Sequence, residues 1–325
     1  MKHSVSAIIR TYTHKRWDYT NKSIQSVLSQ TYPLLEIIVV VDHNPDLAER
    51  LRERWRQEEK VIIIENWRSQ GSSGTCNAGV DVAKGDIVAF IDDDAAAEVN
   101  WIEELVSVYD SEAVMASGGS IYPNWEADSS NWMPEEFYWV VGCSYKGLPE
   151  ETAPIRNLIL CNMSVRREVF DVVEFPENTG LGHVGGVPVG VDETEFCIRL
   201  GSHFPEKVFI HHPPAIVYHA VPAERIKWSY FIKRCWLEGR SKAILSGMVG
   251  TQKGLSSEWD YVLKALPLGM FRALSQGKPL KAFAIVLGLM TTTLNYIRVR
   301  IFSNNSLPTI GQSPQNETKG NVARK

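Results

Sequence analysis

The sequence predicts an α/β protein with a Rossmann-like sheet flanked by helices and a C-terminal helical appendage. Three observations predict it: short apolar runs alternate with helical segments, polar residues directly follow those runs, and the last quarter combines apolar runs with cations. Strands that alternate with helices form a largely parallel sheet, because each crossover returns the chain in the same direction.

The first forty residues predict a β-α-β unit. Residues 4–9 and residues 36–41 are apolar enough for buried strands, and residues 19–30 carry apolar side chains at helical spacing. Polar residues 10–13 and 42–44 directly follow the two strands. Because parallel strands end at one edge of the sheet, we expect a ligand site there.

Three aspartates follow a further buried strand, residues 87–91. Alternate side chains of an extended chain point the same way, so we expect Asp92 and Asp94 to face one side and Asp93 the other. Carboxylates in this arrangement suit Mg²⁺ or Mn²⁺. A solvated acidic turn would contain the same residues, but the position after a buried strand favours a metal site.

The glycine pattern argues against two common nucleotide folds. The loop at residues 10–13 has no glycine, so the dinucleotide fingerprint is missing where that fold needs it. The glycine-rich residues 70–79, which follow a strand at residues 61–64 and begin a helix, lack the Gly-Lys-Ser/Thr of a P-loop. A nucleotide here would be held differently, with a metal at Asp92 and Asp94 screening its diphosphate.

Taken together, the motifs resemble those of the family 2 glycosyltransferases. They are SVSAIIRTY at residues 4–12, SVLSQTY at 26–32, EIIVVVD at 36–42, NAG at 77–79 and GDIVAFIDDD at 85–94. The resemblance covers roughly the first 240 residues. It implies the GT-A fold, a mixed Rossmann-like sheet, and inverting transfer of a sugar from a nucleotide donor. Two positions depart from the family pattern: Arg10 stands where many members have proline, and Cys76 where many have arginine.

The resemblance also implies roles on the donor side. Asp42 would accept a hydrogen bond from the nucleotide base, although a turn or helix-capping role also suits it. Asp94 would be the principal metal ligand, and Asp92 would lie near the ribose and the metal. The expected nucleotide-sugar residues are Thr11, Asp42, Asn77, Asp92, Asp93, Asn162 and Arg234, and the expected ligands of Mg²⁺ or Mn²⁺ are Asp94, Asp92 and His219.

Inverting transfer needs a general base for the acceptor hydroxyl. The segment at residues 192–196, Asp-Glu-Thr-Glu-Phe, resembles the base-bearing segment of the family and places the base at Glu193, with Asp192 beside it. The glycine-rich residues 180–190 precede it and are expected to close over the substrate. The competing interpretation is an acidic first helical turn that only complements the helix dipole.

Three further predicted residues have equally plain structural alternatives. Asn162 resembles a residue on the acceptor side, or it satisfies backbone groups. His219 follows a strand-like run after a turn at residues 213–214, where many GT-A enzymes have a metal- or phosphate-binding histidine, yet a lone histidine is usually structural. Arg234 lies on a helix predicted at residues 225–241 and would reach the diphosphate, or it belongs to a solvated basic face.

The composition narrows the classes of function. A chain of 325 residues with 44% hydrophobic content builds one substantial core plus an appendage. The net charge of −4 gives no reason to expect nucleic-acid binding. Five cysteines without paired spacing argue against a zinc site or a disulfide framework and suit the cytosol. A strand within a few residues of the start leaves no room for a signal peptide.

The C-terminal quarter predicts membrane association. Cations punctuate apolar runs almost without acids after Asp260. Residues 282–297 are uncharged but slightly shorter than the roughly 17–25 residues of a spanning helix. We therefore expect an interfacial anchor or one marginal span with cytoplasmic basic ends, with a pair of soluble core helices as the alternative. We divide the chain into a catalytic domain (1–222), a helical region (223–302) and a disordered polar tail (303–325).

The sequence thus predicts a metal-dependent inverting glycosyltransferase at the cytoplasmic membrane face, with a nucleotide-sugar donor, expected to be UDP-linked, and a lipid-linked or polysaccharide acceptor. Residues 134–142 resemble a narrower subset that includes glucuronosyltransferases acting on glucosyl-dolichyl phosphate. One alternative is an inactive GT-A scaffold in a polysaccharide assembly complex. The departure from the family pattern at Cys76 leaves this alternative open. The other is a sugar nucleotidyltransferase, whose glycine-rich basic phosphate loop is absent at residues 10–13.

Overall fold

The computed structural model describes residues 3–128, 132–177, 183–184, 187–188, 192–250 and 258–302. The predicted disordered tail and most of the predicted closing loop at residues 180–190 lie outside these ranges.

Nine of the eleven described strands form one mixed sheet. The strands are β1 (Val5–Thr11), β2 (Glu36–Val41), β3 (Val61–Glu65), β4 (Ile87–Asp92), β5 (Ala95–Ala97), β6 (Val114–Trp125), β7 (Ala153–Ile155), β8 (Asn162–Arg166), β9 (His183–Val184), β10 (Val187–Pro188) and β11 (Val208–Val221). The sheet order is β3-β2-β1-β4-β8-β6-β11-β5, with β7 on β11, while β9 and β10 form a separate hairpin.

The direction of the strands divides the sheet into two halves. Strands β1 to β4 run parallel, as the β-α-β pattern predicts. Strand β8 is antiparallel to β4 and β6, and β11 is parallel to β6 but antiparallel to β5. The carboxyl ends of β1, β2 and β4 therefore meet β5 and the end of β11 at one edge of the sheet.

Helices cover both faces of the sheet and form the C-terminal region. They are α1 (Trp17–Leu28), α2 (Pro45–Trp55), α3 (Ser72–Val82), α4 (Trp101–Ser107), α5 (Asp192–His203), α6 (Trp228–Val249), α7 (Leu266–Ser275) and α8 (Pro279–Phe302). A π-helical segment, Tyr261–Ala265, leads into α7, and a 3-10 segment, Glu135–Val141, follows β6.

The parallel strands are buried on both faces, which explains their unbroken apolar sequences. Ala7 and Ile9 of β1 pack into one apolar cluster, and Ile8 packs into the other, on the opposite face of the sheet. All six residues of β2 are buried. A strand that is covered by helices on both faces has a continuous apolar sequence instead of an alternating one.

Helix α8 packs closely along α6. A Cβ atom on Gly239 would lie 2.1 Å from the carbonyl oxygen of Thr292, so only glycine permits this approach. Asn295 Nδ2 donates a hydrogen bond of 2.6 Å to the Trp236 carbonyl. Gly288 of α8 likewise leaves room for the ring of Phe137. The helical region thus rests on the segment that follows β6.

Candidate active site

A cavity of about 1060 Å³ lies at the carboxyl edge of the parallel strands and extends to α6 and α8. Its walls come from the loops after β1, β2 and β4, the first turn of α5, the end of β11 and the C-terminal helices. The predicted site residues in its lining are Thr11, Asp42, Asp92, Asp93, Asp94, Asp192, Glu193, His219 and Arg234. The fold therefore brings residues from both ends of the sequence to one place.

Arginines surround the acidic triplet. Arg10 forms an ion pair with Asp92. Arg16 reaches both other members, with Nη1 2.6 Å from Asp93 Oδ1 and Nη2 3.0 Å from Asp94 Oδ2. The expectation that Asp93 faces away from Asp94 is wrong, because β4 ends at Asp92 and the chain turns before β5. The alternation rule holds only for extended chain.

Asp94 is joined to the end of β11. The antiparallel register of β11 and β5 pairs His219 with Ala95, which places His219 Nε2 3.3 Å from Asp94 Oδ1. Burial alone would raise the pKa of Asp94, but His219 and then Arg16 hold it well below its usual range. Burial lowers the pKa of His219, but the neighbouring Asp94 carboxylate overcomes this effect and raises it to about 10.

The residues around Asp94 fit a divalent cation. Among the described residues, the buried atoms Asp93 Oδ2 and His219 Nδ1 have no hydrogen-bond partner, and Asp94 Oδ1 has only its ion pair with His219. Donor atoms of Asp92, Cys161 and His219 lie within 4.8 Å of one another. Burial raises the pKa of Cys161 well above its usual range, so its thiol stays neutral and is a weak ligand for a hard ion. Carboxylates remain as the ligands for Mg²⁺ or Mn²⁺, and the His219 imidazole would join them only after a bound metal displaces the proton that its raised pKa retains.

Two carboxyl groups with raised pKa values lie across the cavity, at the start of α5. Asp192 is buried and accepts a hydrogen bond of 3.0 Å from Ser73 Oγ, and burial raises its pKa to about 6. Glu193 is half-buried, and burial, assisted by the charge of Asp192, raises its pKa to about 7. A carboxylate that titrates near neutral pH is suited to accept a proton at physiological pH.

The carboxylate of Asp42 is held in place at the end of β2. Its Oδ2 accepts a hydrogen bond of 2.9 Å from the Gly71 amide, and its Oδ1 accepts one of 2.7 Å from Asn66 Nδ2. Thr11, at the end of β1, is buried and lies 3.3 Å from the Thr20 hydroxyl. Both residues therefore occupy fixed positions in the cavity wall.

Two predicted residues, Asn77 and Asn162, do not line the cavity. The Asn77 amide donates to the carbonyl of Phe175 and accepts from its N–H, both at 3.0 Å, which ties α3 to the loop after β8. The Asn162 amide donates to the carbonyls of Ser120 and Ala215 and thereby joins β8 to β6 and β11. For Asn162 this agrees with the alternative role of satisfying backbone groups.

The two positions that depart from the family pattern are neighbours in space. Burial raises the pKa of Cys76 to about 12, although the adjacent guanidinium of Arg10 lowers it. Arg10 also donates a hydrogen bond to the Ser72 hydroxyl at the start of α3. A guanidinium is therefore present beside position 76, supplied by β1 instead of α3. No pattern in the sequence links the two positions, because their proximity depends on strand and helix packing.

Sequence reasoning did not identify Arg16 and Arg225 as site residues. Arg225 lies in the 3-10 turn Ala223–Ile226, with Nη2 3.7 Å from Asp94 Oδ2. Arg234 lines the cavity from α6, where its Nε donates to the carbonyl of Val140 at 3.4 Å. Neither Arg16 nor Arg225 belongs to a recognisable motif, so only the folded chain identifies them.

The far part of the cavity is aromatic and reaches the C-terminal helices. Trp139, Tyr145 and Tyr261 line it together with Leu289 and Tyr296 of α8. One ion-pair cluster crosses this wall: Lys242 Nζ lies 2.7 Å from Glu258 Oε1, and Arg156 Nη1 lies 3.3 Å from Glu258 Oε2. The cavity thus has an acidic end at the sheet and an aromatic end beside α8.

Comparison with known proteins agrees with this geometry. The sequence model of glycosyl transferase family 2 matches residues 6–173. A glucosyl-dolichyl phosphate glucuronosyltransferase of Haloferax volcanii is 35% identical over 243 residues, 74% of this chain and 77% of the relative. The Escherichia coli enzyme named UDP-Glc:alpha-D-GlcNAc-diphosphoundecaprenol beta-1,3-glucosyltransferase WfaP is 30% identical over 118 residues, 36% of this chain and 46% of the relative.

The solved structure of the mannosyltransferase PcManGT from Pyrobaculum calidifontis, in complex with GDP-Man and Mn²⁺, has the same overall architecture. Its TM-score is 0.61 at 16% identity, with 94% of this chain and 88% of that chain covered. The predicted GT-A fold, a mixed sheet flanked by helices with a C-terminal helical part, is confirmed. On the match to the family and to the Haloferax relative, this chain belongs to glycosyl transferase family 2.

Proposed function

We propose that the chain is a metal-dependent, inverting glycosyltransferase that moves a sugar from a UDP-linked donor to a lipid-linked acceptor at the cytoplasmic face of the membrane. The observation that carries the proposal is the single cavity lined by the acidic triplet, His219 and Glu193. An acidic metal site and a carboxylate base that titrates near pH 7 are the two parts that such a transfer needs.

The donor end of the cavity is proposed to lie between Asp42 and Asp94. Asp42 would accept a hydrogen bond from the base, beside Thr11. Asp94, with Asp92 and His219, would hold Mg²⁺ or Mn²⁺, which when bound neutralises charge on the leaving diphosphate. Donor atoms of Asp92 and His219 that lie within 4.8 Å of one another, and the unpartnered buried atoms Asp93 Oδ2 and His219 Nδ1, support this assignment.

Guanidinium groups are proposed to contact the diphosphate oxygens. Arg10, Arg16, Arg225 and Arg234 all line the cavity. Arginine donors match phosphate oxygens in geometry and charge. Arg10 would supply the guanidinium that Cys76 does not, and its position beside Cys76 supports this role.

Glu193 is proposed to be the general base. It would remove the proton of the acceptor hydroxyl while the hydroxyl oxygen attacks the anomeric carbon. The bond from that carbon to the nucleoside diphosphate breaks on the opposite face, so the anomeric configuration inverts. Asp192 raises the pKa of Glu193 and would keep it basic enough for this step.

A lipid-linked acceptor is favoured by the relatives and by the shape of the cavity. The Haloferax and Escherichia relatives are named for acceptors linked to dolichyl phosphate and diphosphoundecaprenol. In this chain the aromatic part of the cavity reaches Leu289 and Tyr296 of α8, the most apolar long helix described. Aromatic walls stack on sugar rings. A glucuronosyl or hexosyl donor group fits this proposal, with glucuronosyl favoured by the Haloferax relative.

Calorimetry of donor binding tests the proposal. The purified chain would be titrated with UDP-, GDP- and dTDP-sugars, with and without Mn²⁺, and we expect selective, Mn²⁺-dependent affinity for a UDP-sugar. Tighter binding of a GDP-sugar, the nucleotide present in the Pyrobaculum structure, would overturn the UDP assignment. Turnover with a lipid-linked glucose acceptor should release nucleoside diphosphate, whereas pyrophosphate would identify a nucleotidyltransferase.

A non-catalytic scaffold is the second candidate. The observation that favours it is the pairing of the acidic triplet with Arg10, Arg16 and Arg225, which would suit a purely structural ion-pair network. Nucleotide binding that is indifferent to Mn²⁺, without turnover on any lipid acceptor, would support the scaffold and exclude the enzyme.

A further inference from the structure

The outer face of α8 is a continuous apolar stripe. Its exposed residues recur every three or four positions along the whole helix: Leu280, Phe283, Val286, Met290, Leu294, Ile297 and Ile301. The opposite face, with Ala284, Gly288 and Asn295, is buried against the protein. This helix is the one described helix long and apolar enough to cross a membrane, with 24 residues.

The packing of α8 is incompatible with a position across a bilayer. Gly239 brings the backbone of α6 against Thr292, and Asn295 hydrogen bonds to the Trp236 carbonyl of α6. A spanning α8 in this arrangement would take α6 with it into the hydrocarbon. Helix α6 carries Lys233, which is exposed, and Arg240, which is half-buried. Such charges in the bilayer centre are strongly unfavourable.

The charge of the region matches an anionic surface. Residues 261–302 contain no Asp or Glu but six cations, which are Lys264, Arg272, Lys278, Lys281, Arg298 and Arg300. A helix with an exposed apolar stripe and flanking cations lies in the plane of an anionic interface, with its apolar side chains below the headgroups. Lys264 pairs with Asp260, and Arg272 lies 3.9 Å from Glu136. The cations available to an anionic surface are therefore those at or beside the two ends of α8, which are Lys278, Lys281, Arg298 and Arg300.

We propose that α8 lies in the plane of an anionic leaflet instead of spanning it, and that its stripe is the membrane-docking surface of the protein. The inference rests on the proposed membrane association and specifies its geometry. The cavity then lies directly above the leaflet, since Leu289 and Tyr296 of the same helix line its aromatic end. A lipid-linked acceptor enters from the leaflet beside α8 without leaving the interface.

Spin labels along the stripe distinguish the two geometries. Phe283→Cys, Met290→Cys and Ile301→Cys would each be labelled in the full chain and bound to vesicles of phosphatidylcholine and phosphatidylglycerol. The ends of this set are about 27 Å apart along the axis. An in-plane helix places all three labels at the same shallow depth. A deepest label at Met290, or labels that remain in water, would overturn the proposal.

A matched pair of substitutions provides an independent readout. Leu294→Glu introduces a charge into the stripe, whereas Leu35→Glu changes a leucine of similar exposure, 47% against 58%, far from α8. We expect Leu294→Glu to weaken vesicle binding at least about ten-fold and Leu35→Glu to leave it unchanged. Equal effects would overturn the proposal, as would a dimer in solution that the Leu294→Glu change dissociates, because a second copy would then cover the stripe.

These experiments contain neither donor nor acceptor, so their outcome depends only on the docking surface. Donor titration of Leu294→Glu in solution reports on the proposed catalytic site separately. Retained Mn²⁺-dependent donor binding with lost vesicle binding is the expected combination. In the unsubstituted chain, vesicle binding without Mn²⁺-dependent donor binding would contradict the proposed function and leave the docking geometry standing.

Discussion

Glu193 obtains its basicity from its surroundings and not from its residue type. Burial and the charge of Asp192 raise its pKa to about 7, so the carboxylate is largely protonated at pH 6 and ionised at pH 8. A general base acts only when deprotonated. We therefore expect kcat/KM to rise with pH through about 7 and to level off above it.

Two substitutions test this assignment. Glu193→Gln should leave donor binding intact and reduce transfer at least about 10²-fold, the usual scale for loss of a general base. Asp192→Asn removes the nearby negative charge and should move the acidic limb of the pH profile to lower pH. A profile that stays in place in Asp192→Asn, or near-normal turnover in Glu193→Gln, would assign the base to another group.

The proposed metal site gives a second prediction at the residue scale. Asp94→Asn removes the carboxylate charge but preserves the size of the side chain, so we expect donor affinity to become independent of Mn²⁺. Calorimetry with and without Mn²⁺ measures this. Asp18→Asn, an exposed carboxylate on α1, is the matched control and should retain the full metal effect. Mn²⁺-dependent binding in Asp94→Asn would exclude Asp94 as a principal ligand.

Arg10 gives a third prediction. Arg10→Ala removes a guanidinium that is proposed to contact the diphosphate, and such a charged hydrogen bond contributes about 1.5–3 kcal/mol, or at least about ten-fold in donor affinity. Arg52→Ala is the control, because Arg52 pairs with Glu65 on the exposed surface. If donor binding requires a guanidinium that either position can supply, the double variant Arg10→Ala/Cys76→Arg should recover part of the lost affinity.

The residues of the cavity differ in how far the sequence reveals them. Asp92, Asp94 and Glu193 belong to local motifs, and the fold places all three in one cavity as predicted. Arg16 and Arg225 belong to no motif, since their place depends on where the chain turns after β1 and β11. Asn77 belongs to a motif, yet its amide is used by the loop after β8. A motif identifies a pattern of residue types but not the partner that each side chain contacts in the folded chain.

At the scale of elements, the contact between α6 and α8 depends on one glycine. A Cβ atom at Gly239 would lie 2.1 Å from the Thr292 carbonyl, so Gly239→Ala must separate the helices. We expect a loss of about 1–3 kcal/mol in the free energy of unfolding, measured in urea.

Gly201→Ala in α5 is the matched control for this prediction. A Cβ there would meet only Phe209 at 3.8 Å, an ordinary contact, so the change should be neutral or stabilising by about 0.5–1 kcal/mol. An equal loss of unfolding free energy in both variants would show that Gly239 is not needed for the close approach of α6 and α8.

Buried parallel strands were the elements that the sequence predicts best. Strands β1, β2 and β4 lie within two residues of their predicted bounds, because uninterrupted apolar runs have few other uses in a soluble fold. Strand β11 was predicted only near its end. It continues through the predicted turn at residues 213–214, where the register with β6 shifts between His211 and Ile216. Prolines cannot donate to a ladder, and a bulge accommodates them.

At the scale of the whole molecule, charge is unevenly distributed. The chain carries a net charge of −4, while residues 261–302 hold six cations and no acids, so the rest of the chain is acidic. Electrostatic attraction to an anionic surface is screened by salt, whereas apolar burial is not weakened by it. We expect binding to anionic vesicles to decrease, without disappearing, when salt rises from 0.1 to about 0.5 M.

Sedimentation with vesicles at the two salt concentrations measures this effect, and neutral phosphatidylcholine vesicles are the control. Binding to neutral vesicles should be weaker at low salt and nearly unaffected by added salt. Binding to anionic vesicles that vanishes at high salt would indicate a purely electrostatic contact and would leave the stripe of α8 without a role.

The strand order determines when the proposed site can assemble during synthesis of the chain. His219 reaches Asp94 only after β11 has inserted between β6 and β5. The segment matched by the family, residues 6–173, contains the acidic triplet but neither His219 nor Glu193. When the ribosome has completed that segment, most strands of the sheet have been synthesised, but the proposed site still lacks Glu193 and His219. The proposed catalytic residues are therefore complete only after α5 and β11 have been synthesised, shortly before α8, the helix proposed to dock on the membrane.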